Sequence, residues 1–167
     1  LPAEMLRAAA DLALARQRKA LPTISFVATH PGPFTSRSGI PLYANYGLDA
    51  QQYDLIYLPA LWRNPQTVIR QHEALLPWLR QQHDSGALIG AAGTGVCFLA
   101  SSGLLDQRPA TTHWFYLDQF AALYTTVDLK PQYLITRAGN LYCAASINAL
   151  ADLTVHFIRQ FYGSNIA

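Results

Sequence analysis

The stretch Gly86 to Ala100 reads Gly-Ala-Leu-Ile-Gly-Ala-Ala-Gly-Thr-Gly-Val-Cys-Phe-Leu-Ala. Ala87 to Ala92 is a short apolar run of strand type. After Gly93, Thr94 and Gly95, the residues Val96, Leu99 and Ala100 recur at i, i+3 and i+4, the spacing of a helix. A strand, a glycine turn and a helix in immediate succession make an elbow. In α/β proteins such an elbow lies at the top of the sheet, over backbone N–H groups at a helix N-terminus. A catalytic elbow carries Ser or Cys at its apex, and the apex here is Gly93. Any tight strand-to-helix turn is also rich in glycine, so Gly-x-Gly alone separates neither reading from the other.

The flanking sequence supplies alternating strands and helices. Residues 2–18 read as a helix, with Met5, Ala9 and Leu12 on one stripe and Leu6, Ala10 and Ala13 on the next; Leu21-Pro22 breaks it. Thr23 to Thr29 alternates like a strand, with Ile24, Phe26 and Ala28 on one face. His30 to Gly39 is rich in Pro, Gly, Ser and Thr and reads as a loop, followed by a short edge strand over Ile40 to Asn45. Tyr53 to Pro59 is nearly continuous in apolar residues, as a strand covered on both faces is. Asn64-Pro65 offers a cap and a first-turn proline to the next helix, and Pro77 restarts that helix on its way to His83.

Beyond the elbow helix, which ends near Gly103, Thr111 to Trp114 reads as a very short strand and Phe115 to Tyr124 as a helix. Strands follow over Thr125–Leu129, Gln132–Thr136 and Leu141–Ala144, and Ala138-Gly139-Asn140 folds the last two into a hairpin. Ala145 to Tyr162 is a long helix with Leu150, Leu153, Phe157 and Phe161 at helical spacing and Gly163 as its stop. The expectation is an α/β, three-layer sandwich: a mostly parallel central sheet flanked by helices, with an antiparallel hairpin at one edge.

The totals narrow the function classes. With 167 residues, the chain is one domain of ordinary size. Half of its residues are hydrophobic, and a net charge of +2 is too small for a nucleic-acid-binding surface. Its densest basic cluster, Arg16, Arg18 and Lys19, sits where the first helix ends, the end of a helix dipole that favours cations. No apolar run reaches membrane-spanning length. Cys97 and Cys143 both fall in apolar elements and read as reduced core thiols of a cytoplasmic protein. The histidines are scattered without ligand-like spacing, so neither a metal nor a cofactor is expected.

Five segments in order then carry a resemblance: Tyr53-Asp-Leu-Ile-Tyr-Leu-Pro-Ala-Leu-Trp62, Ala87 to Gly95, Gly103-Leu-Leu-Asp-Gln-Arg-Pro-Ala-Thr-Thr-His-Trp114, Asn140-Leu-Tyr-Cys-Ala-Ala-Ser146, and the helix with Ala151-Asp-Leu153. Together they resemble the ThiJ/PfpI superfamily of the class I glutamine amidotransferase-like fold. More narrowly, the chain is similar to the N-terminal sensor domain of AraC-family transcriptional regulators. The resemblance implies a flavodoxin-like topology, a sensor domain over residues 1–163, and a linker beginning at 164–167. That linker would lead to a C-terminal helix-turn-helix domain outside this chain. It implies a cysteine at the elbow apex of catalytic relatives, where this chain has Gly93, and it matches His113 to the family histidine. Glu4 matches a family acid on the first helix, but not the carboxylate that contacts the nucleophile. It also implies a first strand near the middle of the sheet, upstream of Leu1.

The candidate residues follow from both lines. No catalytic residue is expected. Gly93, Thr94 and Gly95 would offer backbone amides to a small-molecule effector, with Thr94 capping the helix through its hydroxyl. His113 is either a hydrogen-bonded histidine at a strand end or a contact to that effector. Trp114, Ala60 and Trp62 would line the pocket or pack beneath it. The expected function is effector sensing by a homodimer, with DNA bound only through the absent C-terminal domain. The alternative is an enzyme, a ThiJ/PfpI-type hydrolase or hydratase with an atypical nucleophile. For that, Cys97 would have to be exposed and acidic, or His113 would have to act with water and no covalent step. A third reading, a purely structural dimerisation module, predicts a site filled by side chains.

Overall fold

The computed structural model describes residues 1–16, 22–36, 38–48, 51–61 and 64–167. Arg18 and Lys19 of the basic cluster, Leu21 of the first helix break, and Trp62 lie outside the described residues.

The main sheet has four strands: β3 (Leu55–Leu58), β4 (Leu88–Ala92), β7 (Ile135–Ala138) and β8 (Leu141–Ala144), ordered β3-β4-β8-β7. β3 and β8 both run parallel to β4, and β7 is antiparallel to β8. That is the expected mostly parallel sheet with its hairpin. Along each strand the side chains alternate between two apolar layers. Ile56, Leu58, Ile89, Ala91, Leu141 and Cys143 face one layer. Into it pack α2 (Pro65–Gln71), α3 (Leu75–Asp84), α4 (Val96–Ser101) and α5 (Leu117–Leu123), through residues such as Ile69, Leu79, Leu99 and Phe120.

Tyr57, Leu88, Tyr142 and Ala144 face the other layer, which α6 (Ile147–Tyr162) fills with Leu150, Leu153 and Phe157. The fully buried ring of Phe157 contributes about 2 kcal/mol on its own. α1 (Pro2–Ala15) lies against α6. Ala9, Ala10 and Ala13 are its buried residues, whereas Leu12, on the same expected stripe as Ala9, is exposed. Two helix termini use the expected chemistry, at Asn64 and Gly163, and Ser146 adds a cap that starts the last helix at Ile147 rather than Ala145. Asn64 accepts a hydrogen bond from Gln66 N at 3.0 Å, Ser146 accepts one from Ala149 N at 3.1 Å, and Gly163 takes the left-handed conformation with φ +88°.

Four local expectations fail. Thr23–Thr29 is not a strand: it makes one isolated bridge, Val27 to Tyr46, and Ile24 and Phe26 are exposed. An alternating pattern becomes a strand only where a neighbour completes the ladder. Among the described residues its pairing stops at Asn45 and Tyr46, too short for a ladder, and none pairs with the outer edge of β3. The presumed loop His30–Gly39 instead holds β1 (Gly32–Thr35), antiparallel to β2 (Pro41–Ala44). The turn between them closes through Ser36, whose Oγ accepts from Ile40 N at 3.1 Å. The short strand expected at Thr111–Trp114 lies just before it as β5 (Pro109–Ala110), parallel to β6 (Asp128–Leu129). Finally, residues 114–116 form a 3-10 turn rather than the start of α5, because His113 caps that turn from outside.

Candidate functional site

β4 ends at Ala92, which lies beside Ala144 of β8, and the chain then turns through Gly93–Gly95 into α4. Gly93 has φ +49°, in the left-handed region where an ordinary residue is strained. Space is not what demands glycine there: an added Cβ would lie 3.5 Å from Ala60 Cβ and 3.7 Å from His113 Cβ, ordinary contacts. At Gly95 the reverse holds. Its backbone is ordinary, with φ −61°, but an added Cβ would collide with the Pro59 carbonyl oxygen and reach within 3.0 Å of that of Leu58. The two glycines therefore answer different requirements, one of conformation and one of close approach between the elbow and the end of β3.

Thr94 locks that approach. Its hydroxyl donates to Leu61 O at 2.7 Å, and Leu61 N donates back to it at 2.9 Å. This corrects the expected helix cap: the oxygen does satisfy a backbone N–H, but one on the β3–α2 connection, and α4 has no side-chain cap. From the other side, the segment before α5 crosses the elbow. Thr112 donates its hydroxyl to Gly93 O at 2.9 Å, and Thr111 donates to Tyr133 O at 2.8 Å. Both threonines are buried and were not among the expected site residues. The signal that would have found them is a pair of adjacent hydroxyls in a segment too apolar to leave them in solvent.

Thr112 sets the position of His113. Phe115 N donates to His113 Nδ1 at 3.3 Å. With Nδ1 accepting, the neutral ring carries its proton on Nε2 and offers a donor there. Trp114 is 72% exposed, its ring 5.5 Å from that of His113 and edge-on to that of Phe115. Gly93, Thr94, Gly95, Ala60 and His113 are thus gathered within a few ångströms, and Trp114 borders them.

The cysteine expected of an enzyme is elsewhere. Cys97 is fully buried one turn into α4, and burial pushes its thiol up to about 12, only partly offset by a hydrogen bond with Tyr124. A thiol held neutral across the physiological range is not a nucleophile. Cys143 is buried too, its thiol pushed up to about 11 chiefly by the same desolvation, and both cysteines are free. Among the described residues no group of three His, Cys, Asp or Glu side chains comes together to hold a metal ion. No helix among them is long and apolar enough to cross a membrane.

A parallel sheet whose second strand runs through a left-handed glycine into a helix, with a histidine from a later segment alongside, places the molecule among the amidotransferase-like α/β proteins. The chain belongs to the DJ-1/PfpI family, whose sequence profile it matches over residues 5–160. It is 31% identical over 137 residues to the HTH-type transcriptional regulator CdhR of Pseudomonas aeruginosa, covering 81% of this chain and 40% of that protein. It is 28% identical over 137 residues to the isonitrile hydratase of Pseudomonas putida, covering 81% of this chain and 58% of the hydratase. Its backbone superposes on the crystal structure of an AraC family transcriptional regulator from Pseudomonas putida with a TM-score of 0.71 at 19% identity, over 99% of this chain and 88% of the other. The chain spans less than two thirds of the length of either the CdhR or the hydratase sequence.

Proposed function

We infer that this chain is the sensor part of an AraC-type transcriptional regulator, a binding domain descended from a catalytic one. The observation that carries the reading is Gly93: the apex keeps the left-handed backbone of a nucleophile elbow yet bears no side chain to attack with. The likeness to CdhR supports it, and the inert, buried Cys97 counts against the hydratase alternative. In this reading a small effector bearing a carboxylate or amide rests against the backbone at Gly93 to Gly95 and accepts a hydrogen bond from His113 Nε2. Trp114, and Trp62 by its sequence position, would flank it. The effector shifts the arrangement of a homodimer, and through residues 164–167 that of a helix-turn-helix domain further along the chain. It must prefer one arrangement by about 1–3 kcal/mol to act as a switch. Among the described residues nothing pairs with the outer edge of β3, which supports a further strand there, in this reading from sequence upstream of Leu1.

The structural reading, dimerisation without ligand, is favoured by one feature: the Thr94 hydroxyl and the Gly93 carbonyl are already satisfied within the protein. A mobility-shift assay separates the possibilities. The natural full-length protein should retain DNA from upstream of its own gene, and residues 1–167 alone should not. Acetate, acetamide and glycine, added in turn, should change the retention for at least one probe. Retention by residues 1–167 alone would refute the sensor assignment. Indifference to every carboxylate and amide tried would favour the structural module.

A further inference from the structure

Apart from the elbow, a cleft among the described residues holds a polar group that none of them binds. It lies between the β7–β8 hairpin and α6, has a volume of about 240 Å³, and is lined by Ile135, Arg137, Tyr142, Leu153 and His156. Tyr142 is 2% exposed, and its hydroxyl is buried without a hydrogen-bond partner among the described residues. The contrast with Tyr57 in the same layer is informative, because that hydroxyl donates to Thr154 at 3.0 Å. A buried phenol left unpaired costs stability unless something else supplies the partner.

The neighbours of Tyr142 define what the partner would be. Arg137 is opposite it in the β-ladder, with its guanidinium carbon 5.3 Å from the centre of the tyrosine ring. Arg137 donates Nε to Gly139 O at 3.0 Å, and among the described residues no carboxylate pairs with its terminal nitrogens. The His156 ring lies 5.7 Å from the tyrosine ring and is exposed at the mouth. Ile135 and Leu153 make the walls apolar. A guanidinium and a phenol beside aliphatic walls recognise an anionic head on an apolar body.

We propose that this cleft binds a small carboxylate with a flat or branched apolar body, its head held by Arg137 and the Tyr142 hydroxyl and its body between Ile135 and Leu153. The site shares no residue with the elbow, so it stands or falls independently of the sensor reading.

The test uses the natural full-length protein labelled at its methyl groups, with benzoate as probe and benzamide as its neutral isostere. Benzoate should shift the Ile135 and Leu153 methyl resonances saturably at millimolar concentration, and benzamide should not. Arg137→Gln should weaken benzoate binding about tenfold or more, the scale of one lost charge-assisted bond. Tyr142→Phe should weaken it severalfold while leaving the melting temperature unchanged or raised, because it deletes an unpaired hydroxyl. A Tyr142→Phe variant that melts lower would show that the hydroxyl has a structural partner, against the proposal. Equal shifts with benzoate and benzamide, no saturation, or undiminished binding by Arg137→Gln would each overturn it.

Discussion

The elbow makes a quantitative contrast between two glycines two residues apart. Replacing Gly95 with Ala puts a methyl group onto the Pro59 carbonyl oxygen. That oxygen cannot swing aside as a side chain would. Pro59 has a fixed φ, and Leu58 before it is held in register with Ala91 of β4. Either the end of β3 or the whole of α4 must move. Overpacking of this kind costs 1–3 kcal/mol, and a backbone neighbour puts it at the upper end, about 3 kcal/mol. For a domain of this size that is a fall of about 6–12 °C in melting temperature. Gly93→Ala meets only ordinary contacts and loses only the conformational term for φ +49°. That term is about 1 kcal/mol, or about 2–4 °C. Calorimetric melting of the two variants beside the parent protein gives the comparison directly. If Gly95→Ala were as stable as Gly93→Ala or more so, the close approach of elbow and β3 described here would be wrong.

Three further outcomes follow from the same geometry. Thr94→Val should cost about 2 kcal/mol in urea unfolding, because it deletes both hydrogen bonds that hold Leu61; Thr94→Ser, which keeps the hydroxyl, should cost much less. Stability should fall as pH rises above about 9: Cys97 and Cys143 stay protonated in the fold, to about 12 and about 11, while the unfolded chain ionises them near 9.0. The fold then binds more protons than the unfolded chain, so each thiol removes about 1.4 kcal/mol per pH unit in that window, and Cys97→Ala should make the decline shallower. Gly93→Cys should be alkylated by iodoacetamide at pH 8 at least about a hundredfold faster than Cys97, since its thiol would sit beside His113 rather than in the core; protection of that cysteine would count against any ligand reaching the apex.

The elbow was legible in the sequence because both of its signals are local. An apolar run bounded by glycines and a 3.6-residue repeat are properties of neighbours in the chain. The same holds for the cap at Asn64 and for the β7–β8 hairpin. Segment 23–29 was misread because its alternation is a statement about faces, not partners. Ile24 and Phe26 alternate as a strand would, yet a strand exists only through the ladder beside it. The β1 strand was missed for the opposite reason. Gly32 and Pro33 are turn residues by composition, and only the pairing with Pro41–Ala44 makes them extended.

The sequence offers candidates for the elbow's surroundings but not their wiring. Gly93, Thr94, Gly95, Ala60 and His113 were chosen from separate segments, and the fold brings them together. What no spacing shows is which groups remain free. Thr94 looks like a cap because a hydroxyl before a helix is one in most proteins, yet here its hydroxyl belongs to Leu61 across the sheet edge. Thr112 looks like filler and holds the apex carbonyl. These two bonds change the chemistry that the elbow can offer. With the threonine hydroxyl and the glycine carbonyl occupied, and His113 Nδ1 accepting from Phe115 N, the site proposed above would meet its effector with donors: the Nε2 proton of the neutral ring and the backbone N–H groups of the turn. A surface left with donors favours an anion or a carbonyl oxygen over a cation. That preference, rather than the absent nucleophile alone, is what makes a carboxylate or amide the effector class to test first.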